Sequence, residues 1–272
     1  MSLLSPETLN LFVSPGAVLA LNRVGWRREL GRTHSYPVGD ATPGTLWQPL
    51  LGACALALKD FGCKRARVLL SHHYVQYRVL PWRDDLVGDE EYQALAQLEF
   101  SAAFASLADD WTIRLSDEAP GLPRLAAALP SSLLATLVAA AADAGVALDA
   151  VQPYLAAATG LWERETARGL HWLLLHEPGR ITAAVKEDGL WCWLRSVRVG
   201  DDWVHELPRL LQAEALLSGW DTDSHPVRVF APGADARARA ELQAMGLVLL
   251  APADERGFSM NRDGVFAPAW MA

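Results

Sequence analysis

The side chains that could bind a metal ion are histidines and cysteines, and their spacing does not favour a metal site. His72 and His73 are adjacent near the end of a predicted strand, where neighbouring side chains point to opposite faces and cannot share one ion without a bend. No recognised zinc spacing includes the other candidate histidines, His171, His176 and His205. The three cysteines, Cys54, Cys63 and Cys192, are odd in number and widely spaced, which is typical of buried thiols in a reducing compartment. We predict no metal site.

Nucleophilic and acid-base chemistry have little more support. Ser14 and Ser71 end apolar runs, but neither lies in the Gly-x-Ser-x-Gly turn that exposes a catalytic serine. The carboxylate pairs Asp84-Asp85 and Asp109-Asp110 lie beside the ends of predicted elements, where a solvated turn is the usual reason for acidic residues. These residues do not predict an enzyme.

Composition and charge narrow the class of protein further. The chain has 272 residues, 51% of them hydrophobic, which is enough for one large or two medium domains with real cores. Its net charge of -8 leaves no footprint for a polyphosphate, and the longest basic cluster, Lys64, Arg65 and Arg67, flanks a predicted strand. We therefore exclude nucleic acid as a partner. The sequence has neither a basic segment followed by an apolar one at its start nor an unbroken apolar run of membrane-spanning length, so we predict that it is neither exported nor membrane-spanning.

Two stretches of the chain repeat the same order of strand, turn, strand, strand, helix and strand. Their Pro-Gly turns begin at Pro15 and Pro178, an offset of 163, and their Val-Gly-Asp triplets begin at Val38 and Val199, an offset of 161. The later strands, at Arg67 and Arg228, keep the offset of 161, so a two-residue insertion or deletion falls between turn and triplet. Each copy predicts a β-meander followed by a crossover helix, at 45–61 and 203–218, and a further strand. Asp188-Gly189 predicts a two-residue hairpin turn, and Gly25 a similar turn in the first copy.

The region from about 71 to 120 has no counterpart in the second copy. It predicts a strand at 74–80, a helix at 89–107 with an apolar stripe, and a strand at 111–115. A strand at 125–129, a helix from 130 to Gly145, a strand at 148–151 and a helix to about 167 follow. We predict two α/β lobes, 1–168 with an inserted α+β subdomain at about 71–120, and 169–272.

This layout resembles the actin and Hsp70-like superfamily. Within that superfamily the chain is most similar to the PilM family of type IV pilus assembly proteins and to the cytoplasmic domain of the related type II secretion protein GspL. The resemblance is carried by four stretches: 90–104 with the Trp111 strand; 126–131 with the following helix and 148–153; 173–201 with Asp188-Gly189 and Val199-Gly200; and the glycine turn at 229–233. The resemblance implies a duplicated actin-like, two-lobed α/β fold.

The same resemblance implies a nucleotide cleft between the lobes, which this sequence has in a degenerate form. An actin-like ATPase needs acidic residues and glycine-rich turns at the strand ends, to organise Mg²⁺ and to present backbone N–H groups to phosphates. Each of the three turns has a proline before its glycine, and proline has no N–H to offer. The residues at these positions are Ser14, Gly16, Glu177, Gly179 and Gly233. We therefore predict no cofactor and no catalysis. Two alternatives remain open: an ATPase that still binds Mg-ATP, with Glu177 as its metal-facing acid, and an unrelated α/β binding module in which the offset is coincidental.

The resemblance further implies a cytoplasmic scaffold of a bacterial type IV pilus or type II secretion machine. Such a scaffold would bind the cytoplasmic tail of a single-pass inner-membrane protein, with the motor ATPase as a second candidate partner, and would approach the membrane only through its partners. We expect the partner surface on the inserted helix and the strand after it, at Tyr92, Leu95, Leu98, Phe100 and Trp111. The stretch after Arg256 is short for the closing helix of this family, so the end of the second lobe is not defined by the pattern.

Overall fold

The structure is a computed structural model that describes residues 7–40, 47–86, 88–161, 163, 166–222 and 224–272. Two compact units make up the chain. The first unit comprises Met1–Tyr74, Pro130–Leu161 and Pro252–Ala272, and the second comprises Val75–Leu129 and Trp162–Ala251.

Strands and helices alternate along most of the chain. In order, the strands are β1 Thr8–Val13, β2 Ala17–Val24, β3 Glu29–Pro37, β4 Arg65–Leu70, β5 Gln76–Leu80, β6 Trp111–Leu115, β7 Arg124–Pro130, β8 Ala147–Pro153, β9 Leu170–Glu177, β10 Arg180–Glu187, β11 Leu190–Arg198, β12 Val227–Phe230 and β13 Val248–Leu249. The helices are α1 Gln48–Phe61, α2 Asp89–Phe104, α3 Ser131–Asp143, α4 Tyr154–Leu161, α5 Trp203–Ser218, α6 Ala236–Ala244, α7 Met260–Asp263 and α8 Ala267–Trp270. Short 3₁₀ turns at Ala105–Ala108 and Gly264–Phe266 follow α2 and α7. No helix within the described ranges combines the length and the apolar character needed to span a membrane.

The first unit is built on a five-stranded mixed sheet in the order β3-β2-β1-β4-β8. The strands β1, β2 and β3 form an antiparallel meander, and β4 and β8 continue the sheet in parallel with β1. Parallel neighbours need a crossover, which α1 supplies between β3 and β4. β1 is buried from Leu9 to Val13 because both faces of this central strand are covered.

The second unit contains a five-stranded sheet of the same design, in the order β11-β10-β9-β12-β13. The strands β9, β10 and β11 form the meander, α5 is the crossover, and β12 and β13 are parallel to β9. Asp188 and Gly189 have φ values of 49° and 83°, the left-handed pair of a type I′ hairpin turn, which confirms the predicted turn.

The two sheets confirm the predicted duplication and show where the two-residue difference lies. Arg23 pairs with Leu30, and Lys186 pairs with Trp191, so the offset between the copies is 163 on one side of this hairpin and 161 on the other. The turn of the first copy is Gly25–Arg28, four residues long, whereas the matching turn of the second copy is only Asp188-Gly189. The first copy therefore carries two extra residues at the tip of this hairpin.

The inserted region forms a three-stranded sheet in the order β5-β7-β6, covered by α2. Phe100, on the inner side of α2, packs in a small core with Leu80, Ile113 and Ala126. The strand β5 lies against β11, so this small sheet belongs to the second compact unit.

The compact units differ from the sequence boundaries that we predicted, 1–168 and 169–272, in three places, of which the shortest is 162–168, in the second unit. Residues 75–129 pack with the second unit, and residues 252–272 pack with the first. The C-terminal segment is held on the first sheet by a hydrogen bond of 3.1 Å from Asn10 Nδ2 to the Ala272 carbonyl, and Arg23 donates to the Trp270 carbonyl. These contacts join residues at opposite ends of the chain, so no local pattern in the sequence could predict them.

Candidate functional site

The first candidate turn, Ser14–Gly16, uses its polar groups to close the hairpin between β1 and β2. The Ser14 hydroxyl donates to the Ala17 carbonyl at 2.8 Å, and the Ala17 N–H donates back to Ser14 Oγ at 3.3 Å. The Ser14 N–H donates to the same carbonyl at 3.1 Å. Gly16 lies outside the left-handed region, and an added Cβ would meet nothing within 4 Å. Serine is a favoured first residue of tight turns, so the turn is accounted for without a ligand.

The second candidate turn, Glu177–Gly179, connects β9 and β10. Pro178 and Gly179 are its central residues, and Gly179 has a φ of 79°, which only glycine adopts at little cost. Glu177 is 4% exposed at the end of β9 and pairs across the hairpin with Arg180. Burial lowers the pKa of Arg180, and so does Arg198, while the Glu177 carboxylate raises it. Glu177 thus has a buried side chain at the start of an exposed turn, with the Arg180 guanidinium nearby.

The third candidate turn, Ala231–Ala234, follows β12. The Ala234 N–H donates to the Ala231 carbonyl at 3.0 Å, and Ala231 and Ala234 are both buried in the core of the second unit. Because β12 is parallel to β9 and next to it, Gly233 lies at the same edge of the second sheet as Glu177 and Gly179. Ser14 and Gly16 belong to the first unit.

Two aromatic rings stack on each other at the end of β9, beside Glu177. The ring centroids of His176 and Trp203 are 3.9 Å apart, with 16° between their planes. Burial lowers the pKa of His176 to about 4, so the imidazole is neutral at physiological pH. A neutral ring with so low a pKa, stacked on the first residue of α5, is a weak base and offers no cation for a phosphate.

A small cavity of about 290 Å³ lies next to Gly233, between the first turns of α5 and α6. Its charged lining is mostly acidic, with Arg237 as a cation; the acidic members are Asp201, Asp202, Asp235 and Glu241. Arg237 Nε is 2.8 Å from Glu241 Oε1, and Asp235 Oδ1 accepts the Ala238 N–H at 2.7 Å as the N-cap of α6. Negative charge at these helix N-termini repels phosphate groups. Among the residues that the structure describes, no group of three or more histidine, cysteine, aspartate or glutamate side chains could hold a metal ion.

The turns therefore retain little of the chemistry of a nucleotide site. Pro15, Pro178 and Pro232 offer no N–H, and the N–H groups of Ser14, Ala17 and Ala234 are already bonded within their own turns. Of the residues Ser14, Glu177 and Ala231 at or just after the strand ends, only Glu177 carries a carboxylate.

The residues that we expected on the partner surface divide into two groups. Tyr92 and Phe100 are 1% and 0% exposed. The Tyr92 ring stacks on Trp82, its hydroxyl accepts the Arg83 N–H at 2.8 Å, and Phe100 packs against Trp111, so these side chains build the inner core of the subdomain. A helical stripe indicates which side is apolar but not whether that side faces the protein's own sheet or a partner.

Leu98 and Leu95 lie elsewhere on α2. Leu98 is 66% exposed, on the side of α2 away from the sheet, and Leu95 is half-buried. Leu107, in the 3₁₀ turn after α2, is 71% exposed. These leucines give the inserted subdomain an outward apolar surface that the inner stripe does not provide.

No protein-family model matches the sequence, and no curated protein matches it. Solved structures do match over nearly the whole chain. The PilM-PilN type IV pilus biogenesis complex has a TM-score of 0.66 at 13% identity, covering 97% of this chain and 95% of the other. A Bacteroides thetaiotaomicron protein with an actin-like ATPase fold and unknown function has a TM-score of 0.62 at 11% identity, covering 97% and 96%.

The cytoplasmic domain of EpsL, an inner membrane component of the type II secretion system of Vibrio cholerae, is also similar. It has a TM-score of 0.57 at 10% identity and covers 98% of this chain and 95% of the other. At these identities the likeness is one of fold. The chain has the duplicated actin-like α/β fold, and the predicted resemblance to PilM and to a type II secretion cytoplasmic domain is confirmed at the level of that fold.

Proposed function

We propose that the chain is a cytoplasmic scaffold of a bacterial type IV pilus or type II secretion machine. The observation that carries this proposal is the full-length likeness to the PilM-PilN complex, with a TM-score of 0.66 over 97% of the chain. The similar EpsL domain, from a secretion system, points to the same class of machine. Because the fold itself hosts many functions, the geometry of the turns is needed to choose between a scaffold and an ATPase.

We propose that the scaffold does not hydrolyse ATP. The Ser14 hydroxyl is used by its own hairpin, three prolines replace N–H donors, and His176 is neutral and stacked. Catalysis of phosphoryl transfer depends on positioned donors and metal ions around the phosphates, and these turns provide few. The alternative, an ATPase with residual Mg-ATP binding, has one observation in its favour: Glu177 lies at the carboxyl end of a central strand, where such a site would need an acid.

The proposed partner is the cytoplasmic tail of a single-pass inner-membrane protein, with the motor ATPase as a second candidate. The exposed leucines of the inserted subdomain, Leu98 and Leu107, together with the half-buried Leu95, are the surface that we assign to it. An amphipathic or extended tail could cover these side chains and remove their apolar area from water. Binding would place the scaffold at the inner face of the membrane.

Nucleotide binding is tested by thermal unfolding with and without millimolar Mg-ATP. A ligand that binds only the folded state stabilises it by about 2.7 kcal/mol at a hundredfold its Kd. We expect no shift. A clear shift that disappears in Glu177→Ala and in excess EDTA would favour the ATPase alternative and overturn the non-catalytic assignment, leaving the partner assignment to its own test.

Partner binding is tested with labelled synthetic peptides of the cytoplasmic tails of the pilus and secretion inner-membrane proteins of the source organism. We expect one tail to raise fluorescence anisotropy on titration with the protein, and Leu98→Glu to weaken that binding. The matched control is Leu216→Glu, because Leu216 is 81% exposed on α5 of the same unit. Absence of binding by every tail, or equal weakening by both variants, would count against the assigned surface.

A further inference from the structure

The hairpin tip between β2 and β3 is larger than the fold requires. The matching hairpin of the second copy turns with two residues, whereas the first copy turns with the four residues Gly25–Arg28. The Arg28 N–H closes the turn by donating to the Gly25 carbonyl at 3.1 Å. The central residues are Trp26, 79% exposed, and Arg27, whose guanidinium carbon lies 5.1 Å from the centre of the Trp26 ring. The hairpin tip therefore offers an exposed indole ring and a guanidinium group side by side, an apolar and a cationic group that one partner could contact together.

Four more residues of the first unit bring guanidinium groups to this hairpin. Burial, and after it the charges of Arg28, Arg256 and Arg67, lowers the pKa of Arg23 to about 10. Burial likewise lowers the pKa of Arg28, followed by the charges of Arg67 and Arg256. The backbone geometry agrees: the Leu30 N–H donates to the Arg256 carbonyl at 2.7 Å, and Arg23 and the first residue of β4 lie on either side of Thr8. The arginine cluster thus consists of Arg23, Arg27, Arg28, Arg67 and Arg256, from two strands, the hairpin tip and the C-terminal segment.

Nearby carboxylates do not neutralise this cluster. Glu255 Oε2 lies 3.7 Å from Arg256 Nε, Glu29 follows Arg28 in the chain, and Glu7 accepts a hydrogen bond of 3.0 Å from Asn22. Among the carboxylates that the structure describes, Glu255 is paired with the cluster, through Arg256, and its charge raises the pKa of Arg23. On a protein with a net charge of -8, a local surplus of positive charge is the reverse of the global balance.

The surface is separate from the candidate nucleotide turns. β2 is antiparallel to β1, so its final residues lie beside Thr8 at the amino-terminal end of β1, whereas Ser14 follows the carboxyl-terminal end. The amino-terminal end of β4 lies at the same edge as the hairpin, with exposed Lys64 and with Arg65, whose Nε lies 2.9 Å from Asp149 Oδ1. Arg67 belongs to the basic segment 64–67, and its charge lowers the pKa of Arg28 in the hairpin. The basic segment and the hairpin arginines are therefore neighbours.

We propose that the Trp26 hairpin and the arginine cluster bind the surface of an anionic phospholipid bilayer directly. The indole ring would enter the headgroup region, where tryptophan is enriched, while Arg27, Arg28 and Arg256 pair with lipid phosphates. Arg23 and Arg67 lie deeper and contribute to the positive potential of the surface without contacting the lipid. Guanidinium groups form forked hydrogen bonds with phosphate and tolerate partial burial. The tip presents a protruding aromatic ring instead of a groove, which favours a soft, deformable surface over a folded protein partner. This contact would add to any membrane proximity supplied by partners, and it does not rest on the proposed scaffold function.

The test is co-sedimentation of the full chain with vesicles of phosphatidylcholine alone or mixed with phosphatidylglycerol. We expect binding to the anionic vesicles only, and weaker binding as the salt concentration rises. Arg27→Gln should weaken binding about fivefold, the contribution of one arginine near an anionic surface. Trp26→Ala should also weaken it. Both side chains are exposed, so both variants are expected to fold.

Matched controls come from the second unit. Leu216→Ser removes an apolar side chain that is 81% exposed, and Arg209→Gln removes an exposed arginine on α5. We expect both to bind like the unchanged protein. Equal binding to neutral and anionic vesicles, or equal effects of hairpin and control variants, would overturn the proposal. So would binding of a poly-glutamate peptide through Trp26 and Arg27 without any binding to vesicles, because the surface would then serve an acidic protein.

Discussion

The two sheets have the same strand order and register, but the basic residues at equivalent positions contact different neighbours. In the first sheet, Arg23 pairs with Thr8 in the β1–β2 register; at the matching place in the second sheet, Lys186 pairs with His171. Arg67 and Arg228, which lie on the neighbouring parallel strands, correspond in the same way, with the offset of 161. The positions of positive charge were therefore duplicated together with the strands.

Their neighbours were not duplicated. In the second sheet the basic side chains are held within the unit's own strands: Arg228 Nη1 lies 2.6 Å from His171 Nδ1, and Lys186 Nζ lies 5.0 Å from the centre of the Trp191 ring. In the first sheet the C-terminal segment covers Arg23, which donates to the Trp270 carbonyl and lies 4.3 Å from the ring centre. The two sheets keep the same register and the same basic positions, whereas the residues that cover those positions differ. Differences between the copies therefore indicate specialised surfaces.

Loss of the C-terminal segment from the first sheet should destabilise the protein most. Trp270 is 3% exposed and stacks on Phe258 at 5.0 Å, so Trp270→Ala should lower the free energy of unfolding by about 3–5 kcal/mol. Urea denaturation measures the loss, and hydrogen exchange should report it first in β1 and β2. The control in the same segment is Val265→Ala, with a side chain 55% exposed, which should change stability by less than about 0.5 kcal/mol. A loss below about 1 kcal/mol for Trp270→Ala would mean that the segment is not an integral part of the first unit.

The strand ends of the two copies differ in their response to acid. Val13 ends β1, whereas His176 occupies the matching position on β9, and burial lowers the pKa of His176 from 6.5 to about 4. The unfolded chain binds a proton at His176 below about pH 6.5, but the folded chain does not until about pH 4. The contribution of His176 to the free energy of unfolding is therefore at its full value above about pH 6.5. It decreases by up to about 3 kcal/mol as the pH falls towards 4.

His176→Phe isolates this contribution because phenylalanine keeps a ring against Trp203 and does not titrate. We expect the difference in unfolding free energy between the variant and the unchanged protein to grow by up to about 3 kcal/mol between about pH 7 and about pH 4. The pH range above about 7 is the internal control, because His176 is neutral there in both the folded and the unfolded chain and the difference should stay constant. A pH-independent difference for His176→Phe would show that the His176 ring is accessible to protons in the folded state.

The sequence was sufficient for the parts of the fold that local pattern and repetition encode. The duplicated meanders follow from the two offsets, and the Asp188-Gly189 hairpin follows from turn chemistry, because the type I′ turn needs two left-handed residues. The C-terminal segment could not be placed, since α7 and α8 have four residues each and their contacts reach Asn10 and Arg23 across the whole chain.

The candidate site was less predictable than the fold. The sequence placed Ser14, Glu177 and Gly233 at strand ends, but only the structure shows that the Ser14 hydroxyl closes its own turn. It indicated the apolar stripe of α2, but not that Tyr92 and Phe100 face inward. The sequence predicted a turn at Gly25 and a two-residue difference between the copies, but it did not show that the two extra residues lie in that turn, next to Trp26.

The two Pro-Gly turns match in sequence but differ in backbone conformation, and we expect alanine substitutions in them to have the smallest effects on stability. The Gly16 and Gly179 carbonyls accept the equivalent Val38 and Val199 N–H groups at 3.1 and 3.2 Å, yet only Gly179 is left-handed, with a φ of 79°. Gly179→Ala should cost about 1–2 kcal/mol because a Cβ is strained in that region. Gly16→Ala should instead stabilise the protein, by at most about 1 kcal/mol, because its backbone suits alanine and the site is open. Urea denaturation of the two variants gives the signs directly. Equal costs would mean that the turns share one conformation in solution, whereas opposite signs would mean that the Gly179 hairpin alone requires its glycine, with no phosphate needed to explain it.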